Sequence, residues 1–366
     1  MTNTTTHSRH ILMMAAGTGG HVFPALAVAK ELQRRGHQVS WLATPSGMEN
    51  RLLQQYDIPI YQIDIQGVRG NGVIRKLLAP FKILKAMLAA MQIMKAQKID
   101  AVVGFGGYVA GPGGLAARLS GIPVLIHEQN AVAGFTNKQL ARIAKTICQA
   151  FPKTFPETKN LVTTGNPVRQ EICETLSPKW RYEQRETAQQ PLKILIVGGS
   201  LGAQALNERI PTALAALNLP IQVYHQCGQQ QLDATQQRYR DAKKVDGFTV
   251  EVVPFIENMA QAYSDADLII CRAGALTVTE VATAGLAAIF IPLPSAVDDH
   301  QTANAHYLAD VGAAKICPQE TLISIHLTEL LIPLMSRNVL SDMAIKARQQ
   351  AQTQATAHVA DLVEAL

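Results

Sequence analysis

The sequence predicts an α/β protein of two similarly built, nucleotide-binding-type halves, because one pattern occurs twice along it. Residues 11–16 are apolar, Gly17-Thr18-Gly19-Gly20 is a glycine turn, and from Val22 the apolar positions Leu26, Ala29 and Leu32 recur at helical spacing. The order restarts with an apolar run at 192–197, the turn Gly198-Gly199-Ser200-Leu201-Gly202 and a helical pattern over 203–217. Strand, loop and helix in alternation build parallel sheets with helices on their faces. Ligands of such sheets bind at the carboxyl ends of the strands, so the loops there are the candidate sites.

Length and composition fit that plan. A chain of 366 residues accommodates two domains, and 48% apolar with 17% charged residues is a globular composition. The five cysteines are odd in number and widely spaced, with no C-x-x-C pair, which points to reduced thiols in a cytosolic protein and to no metal cluster. Residues 1–10 read as a loose polar tail. The apolar run after them is too short for a signal peptide, and none elsewhere is long enough to span a bilayer.

The net charge of +5 is unevenly placed, since no acidic residue lies between Asp64 and Asp100 while seven Lys and Arg do, leaving the rest of the chain at −2. Within that segment Ile74, Leu77, Leu78 and Phe81 stand at i, i+3, i+4 and i+7, beside Arg75, Lys76, Lys82 and Lys85. Such a corner suits an anionic membrane surface, although a helix packing on a sheet would show the same apolar spacing. Pro80 is expected to end or kink a first short helix, and a second, longer one, over about 81–97, to pack mostly on the sheet.

In the first half a dinucleotide fingerprint fails, because Val22 replaces its third glycine and Thr44-Pro45 follows the next strand where a ribose-binding acid would stand. His21 sits at the mouth of the glycine turn, facing either solvent or a ligand. The strand at 101–104 runs into Gly106-Gly107-Tyr108, a further glycine cluster at 111–114 precedes a helix at 115–119, and the strand at 123–126 delivers His127-Glu128-Gln129-Asn130. His21, Tyr108, Glu128 and Asn130 would then share one wall.

In the second half, strands at Ile221–Gln226, Thr249–Val253, Leu268–Cys271 and 287–291 follow. After Leu268–Cys271 the chain turns at Gly274 and enters a helix at Thr277, offering bare backbone N–H groups and a dipole that suit a phosphate. Thr277 and Glu280 also have capping-box spacing, so they read equally as a helix cap or as ligand contacts. Asp265-Ala266-Asp267 has the look of a metal-holding pair but precedes its strand, which favours local turn chemistry. Asp298-Asp299 suit a helix start, and Gln301 can both donate to and accept from a sugar. Residues 170–190 are polar enough for a domain junction, and 341–366 reads as one helix that crosses back to the first domain.

Six motifs occur in order: residues 16–25, Gly106-Gly107-Tyr108, His127-Glu128-Gln129-Asn130, residues 165–169, Gly198-Gly199-Ser200, and residues 271–278 with Glu280. Together they resemble the MurG family, bacterial N-acetylglucosaminyltransferases that convert lipid I to lipid II. The resemblance implies a GT-B fold of two Rossmann-like domains facing a central cleft. Residues 1–168, with the helix 346–366 packed back on them, would bind acceptor and membrane, and 169–345 the UDP-sugar.

It further implies donor contacts at Thr18, Gly19, Gly20, Asn130, Arg169, Ser200, Ile256, Ala275, Leu276, Thr277, Val278, Thr279, Glu280 and Gln301, with Glu280 on the ribose. Acceptor contacts fall to Tyr108, His127 and Asn137. The implied reaction inverts C1 of N-acetylglucosamine, which requires a base, expected at His21 with Glu128 second. It also requires charge stabilisation on UDP by the N–H groups of Ala275 and Leu276, the turn at Ser200 and Arg272. No cofactor is implied, although a divalent ion on the diphosphate could stimulate. The implied partners are UDP-N-acetylglucosamine, undecaprenyl-linked lipid I and anionic lipids at the cytoplasmic face of the inner membrane, with no nucleic acid. Ala16 and Ala273 depart from the family's commoner glycine and serine. Other readings are a related epimerase or glycolipid glucosyltransferase, or a non-catalytic nucleotide-sugar sensor.

Overall fold

The computed structural model describes residues 8–65, 73–199, 202–242, 245–322 and 324–366, without the side chains of 73–79, Val297 and Ser324. The chain divides into two compact units, Met1–Val168 with Thr353–Leu366, and Arg169–Gln352.

The first unit alternates strand and helix: β1 His10–Ala15, α1 Gly19–Arg34, β2 Gln38–Ala43, α2 Met48–Leu52, β3 Ile60–Gln62 and α3 Val73–Ala96. It continues through β4 Ala101–Gly106, α4 Ala110–Leu119, β5 Val124–Glu128, α5 Phe135–Leu140, β6 Thr146–Gln149 and β7 Leu161–Thr163. Among the described residues these strands form one parallel sheet in the order β3-β2-β1-β4-β5-β6-β7. The order reverses between β1 and β4, so the loops after those two strands flank the unit's ligand crevice. The central strands are apolar throughout because both faces are covered, and Ile11, Leu12, Met13 and Met14 are all fully buried.

Two expectations for this unit are corrected. Pro80 does not end a helix: α3 is continuous, and the proline lies exposed within it, where the missing hydrogen bond faces water. The glycines at 111–114 are not a loop but the body of α4. A Cβ at Gly113 would come within 2.4 Å of Met14 Sδ, and one at Gly114 within 2.6 Å of Leu140, so these glycines let the helix lie close against β1 and α5.

The second unit opens with α6 Gln170–Cys173 and α7 Pro178–Thr187, then β8 Leu192–Val197, α8 Gln204–Ala216, β9 Ile221–Gln226, α9 Leu232–Asp241 and β10 Thr249–Val253. It goes on through α10 Met259–Asp265, β11 Leu268–Cys271, α11 Ala275–Ala284, β12 Ala287–Phe290, α12 His300–Ala309, β13 Ala314–Ile316, α13 Ser324–Leu331 and α14 Arg337–Gln349. Its sheet is parallel in the order β10-β9-β8-β11-β12-β13, with the reversal between β8 and β11. The segment 170–190 is not a linker: Arg181 and Tyr182 of α7 are buried, and Arg181 donates to the Ala284 and Gly285 carbonyls that end α11.

The carboxyl-terminal stretch is two helices rather than one. α14 stays in the second unit, and α15 Ala355–Glu364 packs on α1 in the first. Val359 and Val363 are wholly buried there, worth about 1.5–3 kcal/mol each, and Arg35 pairs with Asp361 at 2.6 Å and Glu364 at 2.8 Å.

Asp267 also does more than turn chemistry. Fully buried, it accepts from Lys193 N at 2.9 Å and pairs with Arg185 of α7 at 2.7 Å and Arg337 of α14 at 3.4 Å. One carboxylate thus ties both helices to the start of the sheet.

Candidate active site

In the first unit the loop after β1 is short and exposed at Gly17, Thr18 and Gly20, and α1 begins at Gly19, earlier than the apolar spacing implies. His21 therefore lies in the first turn of α1, its Nδ1 3.4 Å from Thr18 Oγ1. The β4 loop meets it closely. A Cβ at Gly106 would lie 3.0 Å from the His21 ring, and one at Gly107 2.1 Å from the Ala16 carbonyl oxygen; both glycines have positive φ. A residue the sequence did not flag, fully buried Glu49 of α2, holds the loop from beneath. It accepts from Gly17 N at 3.4 Å and from Thr44 N and Oγ1 at 3.0 Å each.

Tyr108 is half exposed and free to meet a ligand, whereas His127, Glu128 and Asn137 are buried. The expectation that His127 and Asn137 touch an acceptor is corrected accordingly. His127 Nε2 donates to the Gly165 carbonyl at 2.9 Å and its Nδ1 accepts from Gln129 at 3.1 Å. Burial pushes its pKa down to about 4, so the ring is a neutral structural strut. Glu128 accepts from Asn130 N and Nδ2, Gly134 N and Asn137 Nδ2, all within 3.2 Å. Four donors occupy the sites a carboxylate offers, leaving no lone pair for a substrate proton. Glu128 is thereby set aside as runner-up base: it ties the loop 129–134 to Asn137 of α5 and presents Asn130.

In the second unit a cavity of about 680 Å³ opens at the strand-order reversal, lined by Gly198, Gly199, Gly202, Arg272, Gly274, Thr277, Gln301 and Gln319, among others. Ser200 lies outside the described residues. Helix α11 has Gly274 as N-cap and no side-chain cap, so the capping box is not formed. The first-turn N–H groups at Ala275, Leu276 and Thr277 are thus left for an anion at the cavity. Val278 and Thr279 point inward, the threonine hydroxyl bonding back to Ala275 O at 2.9 Å and the Val278 N–H donating to Gly274 O at 2.9 Å, so the expectation that these two touch the donor is corrected: they build the helix. Gln301 Oε1 accepts from Leu293 N at 3.0 Å. Ile256 is itself buried beside a second groove, of about 880 Å³, along β8, β9 and β10.

Glu280 is held by two residues. Arg169 Nη2 donates to one carboxylate oxygen at 3.2 Å and Tyr263 OH to the other at 2.9 Å. Tyr263 is missing from the sequence reading, and only its place on the helix before β11 could have suggested it. Its ring is buried, which raises the phenol's pKa well above the usual value and keeps the hydroxyl a donor. We expect Tyr263→Phe to raise the KM for the sugar nucleotide that the sequence resemblance implies about 3- to 10-fold with a smaller change in kcat, reflecting one lost hydrogen bond to a charged group. Steady-state kinetics with varied donor check this.

Arg272 contributes less directly than its motif implies. Its guanidinium donates to the carbonyls of Ile291 and Pro292 and to Gln319 Oε1 at 2.6 Å, bracing the loop after β12 at the edge of the cavity. Asp298 and Asp299 both have positive φ, and the latter accepts from Thr302 Oγ1 at 2.7 Å. Among the described residues no group of three or more His, Cys, Asp or Glu side chains could hold a metal ion.

Two parallel sheets, each with a glycine turn after its first strand and a ligand crevice at the order reversal, define a protein of two Rossmann-like, nucleotide-binding-type units, and its similarity to known proteins makes it a glycosyltransferase of GT-B type. Residues 11–149 match the Glycosyltransferase family 28 N-terminal domain and 193–363 its C-terminal domain. The chain is 72% identical over 358 residues to the UDP-N-acetylglucosamine--N-acetylmuramyl-(pentapeptide) pyrophosphoryl-undecaprenol N-acetylglucosamine transferase of Acinetobacter baylyi, covering 98% of each. It is 50% identical over 357 residues to the enzyme of that name from Psychrobacter arcticus, covering 97% of this chain and 98% of the relative. It also superposes on the crystal structure of Acinetobacter baumannii MurG with TM-score 0.87 and 68% identity, over 98% of this chain and 100% of that one. The chain belongs to the MurG family of glycosyltransferases.

Proposed function

We infer that this protein moves N-acetylglucosamine from UDP-N-acetylglucosamine to the 4-hydroxyl of the muramyl sugar of lipid I, making lipid II for peptidoglycan. The observation that carries the reading is the second unit's cavity, where bare α11 N–H groups and a glycine turn await a diphosphate; Glu280, one turn along α11 from the cavity-lining Thr277, is the carboxylate for a diol. The acceptor oxygen attacks C1, the bond from C1 to the diphosphate oxygen breaks with its electron pair going to UDP, and the hydroxyl proton passes to His21. An imidazole is partly neutral near pH 7 and accepts such a proton. Because one displacement inverts the centre, the α-linked donor gives a β-linked product. UDP binding measured by calorimetry on wild type and Glu280→Ala tests the donor site, with an unchanged affinity counting against it.

We place the enzyme at the cytoplasmic face of the membrane, where its polyprenyl-linked acceptor lies. No helix among the described residues is long and apolar enough to cross a bilayer. Of the expected basic patch, the side chains of Ile74, Arg75, Lys76, Leu77 and Leu78 lie outside the described residues. The rest stands as an exposed face of α3: Phe81 is 73% exposed, Leu84 49% and Leu88 51%, with Lys82 and Lys85 exposed beside them. Residues 81, 84, 85 and 88 share one helical face. Changing Phe81, Leu84 and Leu88 to Ser and both lysines to Glu is expected to abolish cosedimentation with anionic vesicles, since each cation near the surface adds about 1 kcal/mol. Unchanged binding would return this face to another role.

A further inference from the structure

We propose that Gln226 is a positioning residue for the sugar nucleotide, its buried amide locking together two loops of the second unit. The inference rests on the donor reading of that site. Gln226 ends β9 and is 3% exposed. Its Oε1 accepts from Gly198 N at 3.2 Å, while its Nε2 donates to the carbonyls of Gly199 at 2.9 Å and Pro254 at 3.2 Å. The amide's orientation is forced, because one neighbour can only donate and two can only accept. One side chain therefore joins the glycine turn after β8 to the loop after β10 that carries Phe255 and Ile256.

The glycine turn needs such a lock. Gly199 has φ of +94° and nothing within 4 Å of where a Cβ would stand, so sterics do not fix its peptide. Its carbonyl accepts from Gly202 N at 2.8 Å and from Gln226. A carbonyl drawn toward a buried amide cannot face the cavity, where its partial negative charge would repel a diphosphate. Gln226 lines none of that cavity and so acts through the turn. Glu49 makes the corresponding grip on the first unit's glycine loop, through Gly17 N.

Gln226→Glu tests the idea with little change in shape. One carboxylate oxygen can still accept from Gly198, but the other faces two carbonyl oxygens and drives Gly199 away. The affinity for UDP, read by calorimetry, should fall about tenfold or more, with a matching rise in the KM for UDP-N-acetylglucosamine and an acceptor KM within about twofold of wild type. Acidification should narrow the gap between variant and wild type, because the protonated carboxyl regains a donor. Gln226→Met, which supplies neither group, should lose UDP affinity at every pH and serves if the first variant misfolds. Gln149→Met is the control, since Gln149 is a buried amide of the first unit that bonds Thr163 and Phe155 and touches neither glycine turn. UDP affinities within twofold of wild type in both Gln226 variants, or equal rises in donor and acceptor KM, would overturn the proposal. If Glu280→Ala abolishes UDP binding while the Gln226 variants do not, the donor site stands and this role falls; if none of them alters UDP binding, the donor reading itself fails.

Discussion

Replacing His21 by alanine is expected to lower turnover about 100-fold or more while leaving UDP-N-acetylglucosamine affinity near its wild-type value. His21 is held at the start of α1 between Thr18 and the Gly106 turn, so its ring has a fixed place at the unit's ligand edge. Removing it deletes the proton acceptor without unseating the loop, which Glu49 and Gly107 hold from either side. Glu128→Ala should look different. Its four donors would lose their acceptor, so activity and thermal stability should fall together, as befits a carboxylate that shapes a loop. Kinetics and melting curves of the two variants side by side separate a base from a strut, and near-normal turnover in His21→Ala would remove the histidine from the role.

The largest loss of stability is expected from Asp267→Ala. Asp267 is wholly buried, and Arg185 and Arg337, its partners, have little exposure of their own. Removing one member of a buried ion pair leaves uncompensated charge and costs about 3–5 kcal/mol. Arg337 keeps Glu186 at 3.0 Å, which is mostly exposed and offsets only part of that cost. Two-domain chains need not unfold in one step, so the loss should be read in the transition assigned to the second unit, by urea denaturation followed with a probe in that unit. Asp267→Asn, which can still accept from Lys193 N, should lose less. A loss below about 1 kcal/mol for Asp267→Ala would show that the two arginines find other partners.

What the sequence made legible was whatever repeats or alternates. The apolar run, glycine turn and helix at each unit's start were readable, as were the long central strands, because burial on both faces writes a continuous apolar signal. Short edge strands such as Ile60–Gln62 and Leu161–Thr163 passed unread, since three half-exposed residues carry little periodicity. The glycines of α4 misled for a different reason: glycine normally breaks helices, and only the closeness of Met14 and Leu140 explains its presence.

For the site, the motif residues were found but not the direction of their side chains. His127 and Glu128 end a strand and Asn137 lies in the short helix α5, and whether such a residue faces ligand or core depends on partners distant in the chain, as Gly165 is for His127. Glu49, Tyr263 and Gln226 act on motif residues across gaps of 17 to 32 positions. No local pattern announces them.

The most direct test is transfer from UDP-N-acetylglucosamine to a short-chain lipid I analogue, with the product's anomeric linkage read by NMR and UDP release followed in parallel. A β-linked disaccharide formed one for one with UDP, and no UDP without acceptor, is the expected result. Conversion of the donor at the same rate without acceptor, or an α-linked product, would contradict it.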